Sequence, residues 1–511
     1  MKNKSNFRKP VSIILFGLIL TFIFFLISCG ANNDGAKNNG ATDGAVQTDN
    51  QTTEGSSEAT TERIYPDLEA KDYGGYEFTF LTRTLNDPDW TEWNHRDISA
   101  AEQNGDVLND AVYNRNKKIE EKYNISIKET VVEGNQFTSL IQRAVKAGDD
   151  NYDVVCPHIV EFAALAQGGN LLDLYKVPNL DLTKPWWDQG TVRDLSIIHK
   201  LFILEGDLLI IDNDAMEAMI FNKSLLKDAA LDDPYAIVKN GEWTFDKLYD
   251  MSRGIAKDLN GDGKMYIKDD LFGLILQSDT DISFLVSGGG KVVSKDANDY
   301  PVIAFGDERS VSIMEKVSRF MLDEDNVVQL HRYAGKFPIY DEQVKMFSEN
   351  RALFSWIRMR IVERLRGMET DFGILPLPKL NKEQPNYITH NNPHTGAGIS
   401  IPASASDPDR TGRILEDLSA ESKYTLQPAY YEVNLRGKYA RDDESQDMLD
   451  IILSNTAHDI GYVYNFGNFA MSIIHYGRDK KTEYVSTFEK FRDKIQKDID
   501  KTVSLYEKLG N

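Results

Sequence analysis

Cysteine is almost missing from this chain, which has 511 residues and only two of them, Cys29 and Cys156. Two cysteines are too few for a cysteine cluster that holds zinc. Cys156 ends the apolar run that begins at Val154, and this pattern is typical of a buried strand. We therefore expect Cys156 to be an unreactive thiol in the core.

Positive charge is also scarce. Lys and Arg together number 58, Asp and Glu number 80, and the formal net charge is −22. This balance argues against nucleic acid as a partner and against a body that lies on anionic lipid. Apolar residues make up 41% of the chain, which is enough for real cores, and the length predicts two to three domains.

The common catalytic motifs are missing as well. The sequence has no H-E-x-x-H, G-x-S-x-G or G-x-G-x-x-G. Gly288 to Lys291 lacks the upstream glycine of a phosphate-binding loop. We expect a protein that is not an enzyme, although an acidic chain always leaves a carboxylate pair for glycoside cleavage open.

The first 28 residues have a basic start and then an apolar run over residues 11–27. The run ends in Leu26-Ile27-Ser28-Cys29, which resembles the lipobox of bacterial lipoproteins. The resemblance implies a signal peptide at 1–28 and a lipidated Cys29. Residues 29–65 would then be a flexible tether, rich in Gly, Ala, Asn and Thr, that spans roughly 30 Å. The alternative is an uncleaved membrane helix with an incidental Cys29.

After the tether, alternating and helical patterns follow each other in the order of a β-loop-α-β-α-β unit. Residues 76–81 alternate as a strand does, 106–123 and 137–147 have helical spacing, and 154–156 is apolar. This order predicts a parallel sheet covered by helices, with functional loops at the carboxyl ends of the strands. Thr244 is predicted to cap a helix at 246–257.

Five local patterns in this order resemble the extracellular solute-binding proteins of carbohydrate-type ABC importers. They are the lipobox with its tether, the strand 152–155 followed by 171–174, the apolar run 218–223 that ends in Asn-Lys, the strand 350–356 that ends in Trp, and the run 372–378 that ends in Pro.

The resemblance implies an α/β, two-lobe, periplasmic-binding-protein-like type II fold, in which hinge strands join two mainly parallel sheets flanked by helices. Lobe 1 would comprise residues 72–205 and 340–372, and lobe 2 residues 206–339 and 373–511. The function implied is a monomeric receptor, lipid-anchored on the outer face of a bacterial cell membrane. It would capture a sugar or oligosaccharide between the lobes for an ABC permease, without an organic cofactor.

Residues 258–269 match the EF-hand calcium loop. Asp258, Asn260 and Asp262 stand at loop positions 1, 3 and 5, Gly263 permits the sharp turn at position 6, and Lys264 offers its carbonyl oxygen. Asp269 falls at position 12, where Asp replaces the usual Glu, and the neighbouring Asp270 is an alternative last ligand. We expect a structural Ca²⁺ here; the plain alternative is a solvated Asn-Gly-Asp-Gly turn.

Aromatic and acidic residues in predicted loops are candidates for the ligand site, because flat rings pack on sugar C–H faces and carboxylates bind hydroxyls. The candidates are Trp90, Trp93, Glu161, Trp187, Asp207, Asp214, Trp356, Arg358 and Tyr464. Arg83 and Arg358 would instead suit an anionic ligand such as a uronate. Two other functions stay open: a surface adhesion or structural lipoprotein, and a receptor of the same fold for peptide or another solute.

Overall fold

A computed structural model describes residues 63–85, 93–435 and 443–509. The signal peptide, Cys29, nearly all of the tether and Trp90 lie outside the described residues. In the described part, no helix combines the length and the apolar character needed to cross a membrane.

Strands and helices alternate along the chain. The strands are β1 Tyr76–Thr84, β2 Ile125–Glu133, β3 Val154–Val155, β4 Glu217–Asn222, β5 Phe272–Leu276, β6 Val293–Lys295, β7 Pro301–Ile303, β8 Val327–Gln329, β9 Ala352–Arg358, β10 Phe372–Leu375, β11 Thr389–His390 and β12 Thr456–Ala457. The helices are α1 Val107–Tyr123, α2 Gly134–Ala147, α3 Ile159–Gln167, α4 Gln189–Leu195, α5 Ile211–Ala215, α6 Lys223–Asp228, α7 Pro234–Lys239, α8 Phe245–Ser252, α9 Thr280–Ser287, α10 Glu308–Leu322, α11 Ile339–Ser348, α12 Pro408–Tyr424, α13 Leu426–Leu435, α14 Asp443–Ser454, α15 Ile460–Val463, α16 Phe469–Ile473, α17 Tyr476–Asp479 and α18 Tyr484–Lys508.

The first sheet is parallel and has the strand order β2-β1-β3. Helix α1 connects β1 to β2, and its first turn is capped by Asp106, whose side chain accepts a hydrogen bond from the Asn109 amide. Cys156 follows β3, is fully buried, and burial raises the pKa of its thiol. Its position agrees with the expectation of an unreactive core thiol.

The second sheet has the order β10-β4-β9-β5-β8 and is mixed. Strand β4 runs antiparallel to both β10 and β9, whereas β5 runs parallel to β9 and β8. Every residue of β4 and β9 is buried, as expected for central strands covered on both faces. Asn222 and Thr244 cap α6 and α8, so the predicted role of Thr244 is confirmed.

The strand pairings and helix contacts depart from the predicted division into lobes in two places. Residues 340–372 were expected with the first sheet, but β9 pairs with β4 and β5 in the second sheet. Residues 373–511 were expected to lie entirely with the second sheet, but Ser400 bridges to Val155, and helices α12 and α13 pack on α1. Both assignments depended on pairings between residues far apart in the sequence.

The chain crosses between the two sheets through segments 204–217 and 389–402. Leu204 forms a bridge with Ile399 next to the first sheet, and Met216 forms one with Asn391 at the edge of the second. The largest apolar core includes side chains of both sheets, among them Phe80 and Phe354. The crossing segments therefore pack side by side, where polar residues of both meet.

Candidate functional site

A buried polar cluster lies at one edge of the second sheet, where three strands bring charged residues together. Arg358 ends β9 and Asp279 comes three residues after parallel β5. Strand β4 runs the opposite way, so its first residue, Glu217, is the direct neighbour of Arg358. This is the carboxyl edge of the parallel strands, the usual place for a ligand in an open α/β sheet.

Residues 390–392 of the second crossing segment complete this cluster. His390 Nδ1 lies 2.8 Å from Glu217 Oε2. The side-chain amide of Asn392 donates to Glu217 Oε1 and to Asp279 Oδ2, both at 3.0 Å. We call Glu217, Asp279, Arg358, His390 and Asn392 the cleft cluster.

Charge within the cleft cluster is paired. The Arg358 guanidinium donates to Asp279 and both side chains are largely buried. Burial is the largest influence and acts to raise the pKa of the Asp279 carboxyl, but the charge of Arg358 and the hydrogen bond from Asn392 help to hold that pKa below its usual value. The pair is therefore ionised at neutral pH and offers a ligand no unbalanced charge.

Two of the predicted tryptophans flank the guanidinium. The ring centres of Trp93 and Trp356 lie 5.9 Å and 5.2 Å from the Arg358 Cζ atom, within cation–π range. Nearby imidazoles are kept neutral, since burial lowers the pKa of His331 to about 4 and also lowers that of His394. A neutral imidazole has one donor and one acceptor, which suits a ligand of hydroxyl groups.

Several buried polar atoms at or beside the cleft cluster have no hydrogen-bond partner among the described residues. They are Trp356 Nε1, Arg358 Nε, His390 Nε2, Asn391 Oδ1, Ser278 Oγ and Tyr462 Oη. A buried polar group left unpaired costs roughly 1–3 kcal/mol. Such a concentration of unpaired donors and acceptors indicates a place that a polar ligand or ordered water fills.

Glu161 and Arg83 form an ion pair of 2.5 Å at the carboxyl edge of the first sheet. Glu161 also accepts a hydrogen bond of 3.2 Å from the His158 amide, and the His158 ring contacts the carbonyl oxygen of His394 at 2.9 Å. The contacts place Glu161 on the first-sheet side of the crossing segment that carries the cleft cluster. Both Arg83 and Arg358 thus already have a carboxylate partner.

Trp187 and Asp207 lie together in a different place. They line an open groove of about 1090 Å³ bounded by α12, α13 and α14. The Trp187 indole is buried and donates to Glu416 at 3.0 Å, and Asp207 lies 3.4 Å from the Lys423 ammonium. Burial raises the pKa of Asp207 to about 6.

Asp214 and Tyr464 are held by structural contacts. Asp214 is buried and pairs with Arg96 at 3.0 Å. Tyr464 stacks on Phe466 with ring centres 5.2 Å apart, and its hydroxyl bonds to that of Tyr506 on α18. The structure therefore brings Trp93, Trp356 and Arg358 together and leaves Trp187, Asp207, Asp214 and Tyr464 outside the cleft cluster.

The sequence reasoning missed Glu217, Asp279, His390 and Asn392. A signal was available for the last two, because Thr389 to Thr395 is a dense run of polar residues and histidines between apolar segments. Asp279 could have been found once residues 272–276 were recognised as a parallel strand. Nothing local points to Glu217, whose role depends on the antiparallel direction of β4.

Side chains of the loop at 258–270 accept hydrogen bonds from backbone amides of the same loop. The Asp258 carboxylate accepts from the Gly261 and Gly263 amides at 2.6 Å and 2.7 Å, and both glycines have positive φ. Asp269 is exposed, whereas buried Asp270 accepts from the amides of Leu259 and Tyr266. Asp258, Asn260 and Asp262 thus follow the alternation of a calcium loop, and Asp270 stabilises the loop from inside.

The match to a family model covers residues 99–411, more than half of the chain. The protein belongs to the bacterial extracellular solute-binding protein family. Among curated proteins, none matches the chain significantly.

Several solved structures share its fold. An ABC substrate-binding protein of Listeria monocytogenes, Lmo0181 in complex with cycloalternan, has a TM-score of 0.52 at 12% identity, over 83% of this chain and 99% of that one. A sugar transporter of Rhizobium etli in an open conformation has a TM-score of 0.54 at 11% identity, over 84% and 99%. The cyclic alpha-maltosyl-1,6-maltose binding protein of Arthrobacter globiformis has 0.52 at 13%, over 83% and 99%. These likenesses confirm the periplasmic-binding-protein-like type II fold.

Proposed function

We propose that this protein captures a neutral sugar or oligosaccharide at the cleft cluster and delivers it to an ABC permease, without transforming it. The observation that carries the proposal is the set of unpaired buried donors and acceptors around a charge-paired Arg358 and two tryptophans. Sugar hydroxyls both donate and accept, and sugar C–H faces pack on indole rings. The pairing of Arg83 with Glu161 and of Arg358 with Asp279 weighs against a uronate.

Glycan-array screening followed by calorimetry on the purified protein tests this function. We expect saturable binding of a neutral glycan at one site per chain, with a change in tryptophan fluorescence. Binding of peptides alone would support a peptide receptor of the same fold, and binding only to an insoluble surface would support an adhesion lipoprotein. Either result would overturn sugar capture.

A matched pair of tryptophan variants locates the site once a glycan is found. Trp356 and Trp243 are both fully buried, but Trp356 Nε1 has no partner among the described residues, whereas Trp243 Nε1 donates to the Pro376 carbonyl at 2.9 Å. Trp356→Phe should weaken glycan binding about tenfold, the value of one hydrogen bond near 1.4 kcal/mol. Trp243→Phe should reduce stability and leave glycan affinity unchanged.

We propose further that Cys29 is lipidated after removal of residues 1–28, so that the body is held on the extracytoplasmic face of the membrane. The lipobox supports this anchor. In detergent phase partitioning, the wild-type protein should enter the detergent phase, and Cys29→Ala should lose the lipid. An uncleaved chain of full mass in the membrane would instead support the alternative of an N-terminal membrane helix.

We also propose a structural Ca²⁺ bound by Asp258, Asn260, Asp262, the Lys264 carbonyl and Asp269. Oxygen ligands at alternate positions and two glycines with positive φ fit this ion. Asp269→Asn should weaken Ca²⁺ binding measured by calorimetry. Asp270→Asn should lower the melting temperature both with Ca²⁺ and with EDTA, because Asp270 bonds the backbone. Melting that ignores EDTA in the wild type would refute the site.

A further inference from the structure

A second cluster of ligating side chains lies apart from the cleft cluster. Asp188 caps α4, Glu205 begins the first crossing segment, and His458 follows β12. One ligand atom from each of the three lies within 4.8 Å of the others. Among the described residues, this is the one group of three His, Cys, Asp or Glu side chains that meets that distance.

The His458 imidazole is directed at the carboxylates. Its Nε2 atom lies 2.7 Å from Glu205 Oε2 and 3.2 Å from Thr191 Oγ1, while Nδ1 has no partner among the described residues. The ring is fully buried, so its polar contacts are made only on the side of the cluster.

Neighbouring donors fix the two carboxylates. Asp188 accepts from the Thr191 amide and the Thr456 hydroxyl, both at 2.5 Å. Glu205 accepts from the Asn391 amide at 2.9 Å. Hydrogen bonds of this kind from outside the ligand set orient the ligands in protein metal sites.

Carboxyl groups are concentrated at this place. Buried Asp212 adds a third one, and burial together with the Glu205 charge raises its pKa well above the ordinary value, which favours its neutral form. Arg193 and Lys291 both pair with Asp194 at 2.8 Å. A bound cation would give Asp188 and Glu205 a shared charge partner.

An ion can reach the cluster from solvent without unfolding. Asp188, Asp212 and Thr456 all line the open groove of about 1090 Å³ that also contains Trp187 and Asp207. The groove therefore connects Asp188, the least buried of the three ligands, with the outside.

We propose that Asp188, Glu205 and His458 form a divalent-cation site, with Zn²⁺ as the best match to one imidazole and two carboxylates. On binding, His458 Nε2 and Glu205 give up their mutual hydrogen bond, both face the ion, and the proton between them leaves to solvent. The exposed Asp258 loop has no imidazole and is a separate site for a harder cation.

Such an ion would restrict movement of the two crossing segments. It would tie the first crossing segment to the segment after β12. The Asn391 side chain, which lies between His390 and Asn392 in the second crossing segment, also bonds to Glu205. This role does not depend on which solute the protein captures.

Calorimetry with Zn²⁺ on the metal-stripped, full-length protein tests the site. The control variants are Asp262→Asn, which disables the calcium loop, and His199→Gln, which removes an exposed imidazole. Each should still bind one equivalent of Zn²⁺ per chain. His458→Gln and Glu205→Gln should each weaken binding by more than ~100-fold. Tight one-to-one Zn²⁺ binding that survives in both His458→Gln and Glu205→Gln would overturn the proposal. No binding in the wild type would overturn it as well.

X-ray absorption at the zinc edge of the wild-type protein gives a readout that needs no variant. The expected shell has one imidazole nitrogen with oxygen ligands and no sulfur. A shell with two or more imidazoles, or with none, would show an ion bound elsewhere and would refute the assignment.

Discussion

At the scale of single residues, the buried pair of Arg358 and Asp279 makes the clearest stability prediction. Removing one partner leaves the other charge buried and unmatched, which costs about 3–5 kcal/mol. Asp279→Asn and Arg358→Met should each lower the free energy of unfolding in urea by about this amount. The double variant should lose much less than the sum of the two, because it removes both charges.

An exposed ion pair is the control for that cycle. Lys382 and Glu242 pair at 2.5 Å with 64% and 45% of their side chains accessible. Glu242→Gln should leave the free energy of unfolding nearly unchanged, because solvent screens an exposed pair. Additive losses for the Arg358 and Asp279 variants would show that the pair is not coupled.

Glu416 predicts the direction of the pH dependence of stability. Burial raises the pKa of this carboxyl from 4.5 to about 7, against the opposing hydrogen bond from Trp187. Between these pH values the folded protein keeps a proton that the unfolded chain releases. The contribution of Glu416 to the free energy of unfolding should therefore fall as pH rises from about 4.5 to 7 and then level off.

Urea unfolding of wild type and Glu416→Gln at pH 5, 6, 7 and 8 measures this effect. The variant should have a shallower dependence, and it should not be flat, since the raised pKa of Asp207 acts in the same direction. An equal slope for both proteins would mean that Glu416 has an ordinary pKa in the folded state.

Whether the surroundings of a single residue could be predicted depended on how far along the sequence its contact partners lie. Trp93, Trp356 and Arg358, which the structure brings together, were candidates because a loop or strand end is visible in the local pattern. Tyr464 was not recognised as a packing residue, since its hydroxyl partner Tyr506 lies 42 residues away on a helix with its own periodicity. Glu217 was missed because only the pairing of β4 with β9 makes it a neighbour of Arg358.

At the scale of elements, the contact between β5 and α8 makes a prediction about packing. A Cβ atom at Gly273 would lie 2.0 Å from the carbonyl oxygen of Ser252, at the end of α8. Gly273→Ala must push the strand and helix apart, and such overpacking typically costs 1–3 kcal/mol. Urea unfolding should show the loss.

Gly367 gives the matched control. A Cβ atom at this position meets nothing within 4 Å, and its φ is not in the left-handed region. Gly367→Ala should leave stability unchanged or raise it slightly, because alanine restricts the unfolded chain. An equal loss for both variants would show that the effect comes from losing glycine and not from the close approach of α8.

Local signals predicted elements better than their partners. Thr244 and Asn222 begin helices as their cap positions indicate, since a cap is a contact within four residues. The strand at 352–358 was recognised, but its sheet was not, because its neighbours β4 and β5 begin 135 and 80 residues earlier. The sequence therefore revealed those features of helices and strands that depend on contacts between residues close together in the chain.

At the scale of the whole molecule, the five patterns in order resemble a family with two α/β lobes, and this resemblance predicted an α/β fold with separate sheets. The packing of α12 and α13 on α1 was not predictable, because it depends on contacts between residues far apart in the sequence. The consequence for function is that residues 204–217 and 389–402 connect the halves and also contribute Glu217, His390 and Asn392 to the cleft cluster. Ligand binding and the relative position of the halves thus depend on the same two segments of the chain.

Hydrogen exchange should detect that link once a glycan is found. At a free ligand concentration of 100 times Kd, openings that release the ligand cost about 2.7 kcal/mol more, which slows their exchange about 100-fold. We expect this slowing at the hydrogen-bonded amides of Leu204, Ile399 and Gly396. The last turn of α18, at residues 503–508, lies outside the crossing segments and should show less slowing. Trp356→Phe at the same glycan concentration should show less slowing, since its Kd is higher. Equal protection of the crossing segments and the end of α18 would mean that the ligand stabilises the whole body without joining its halves.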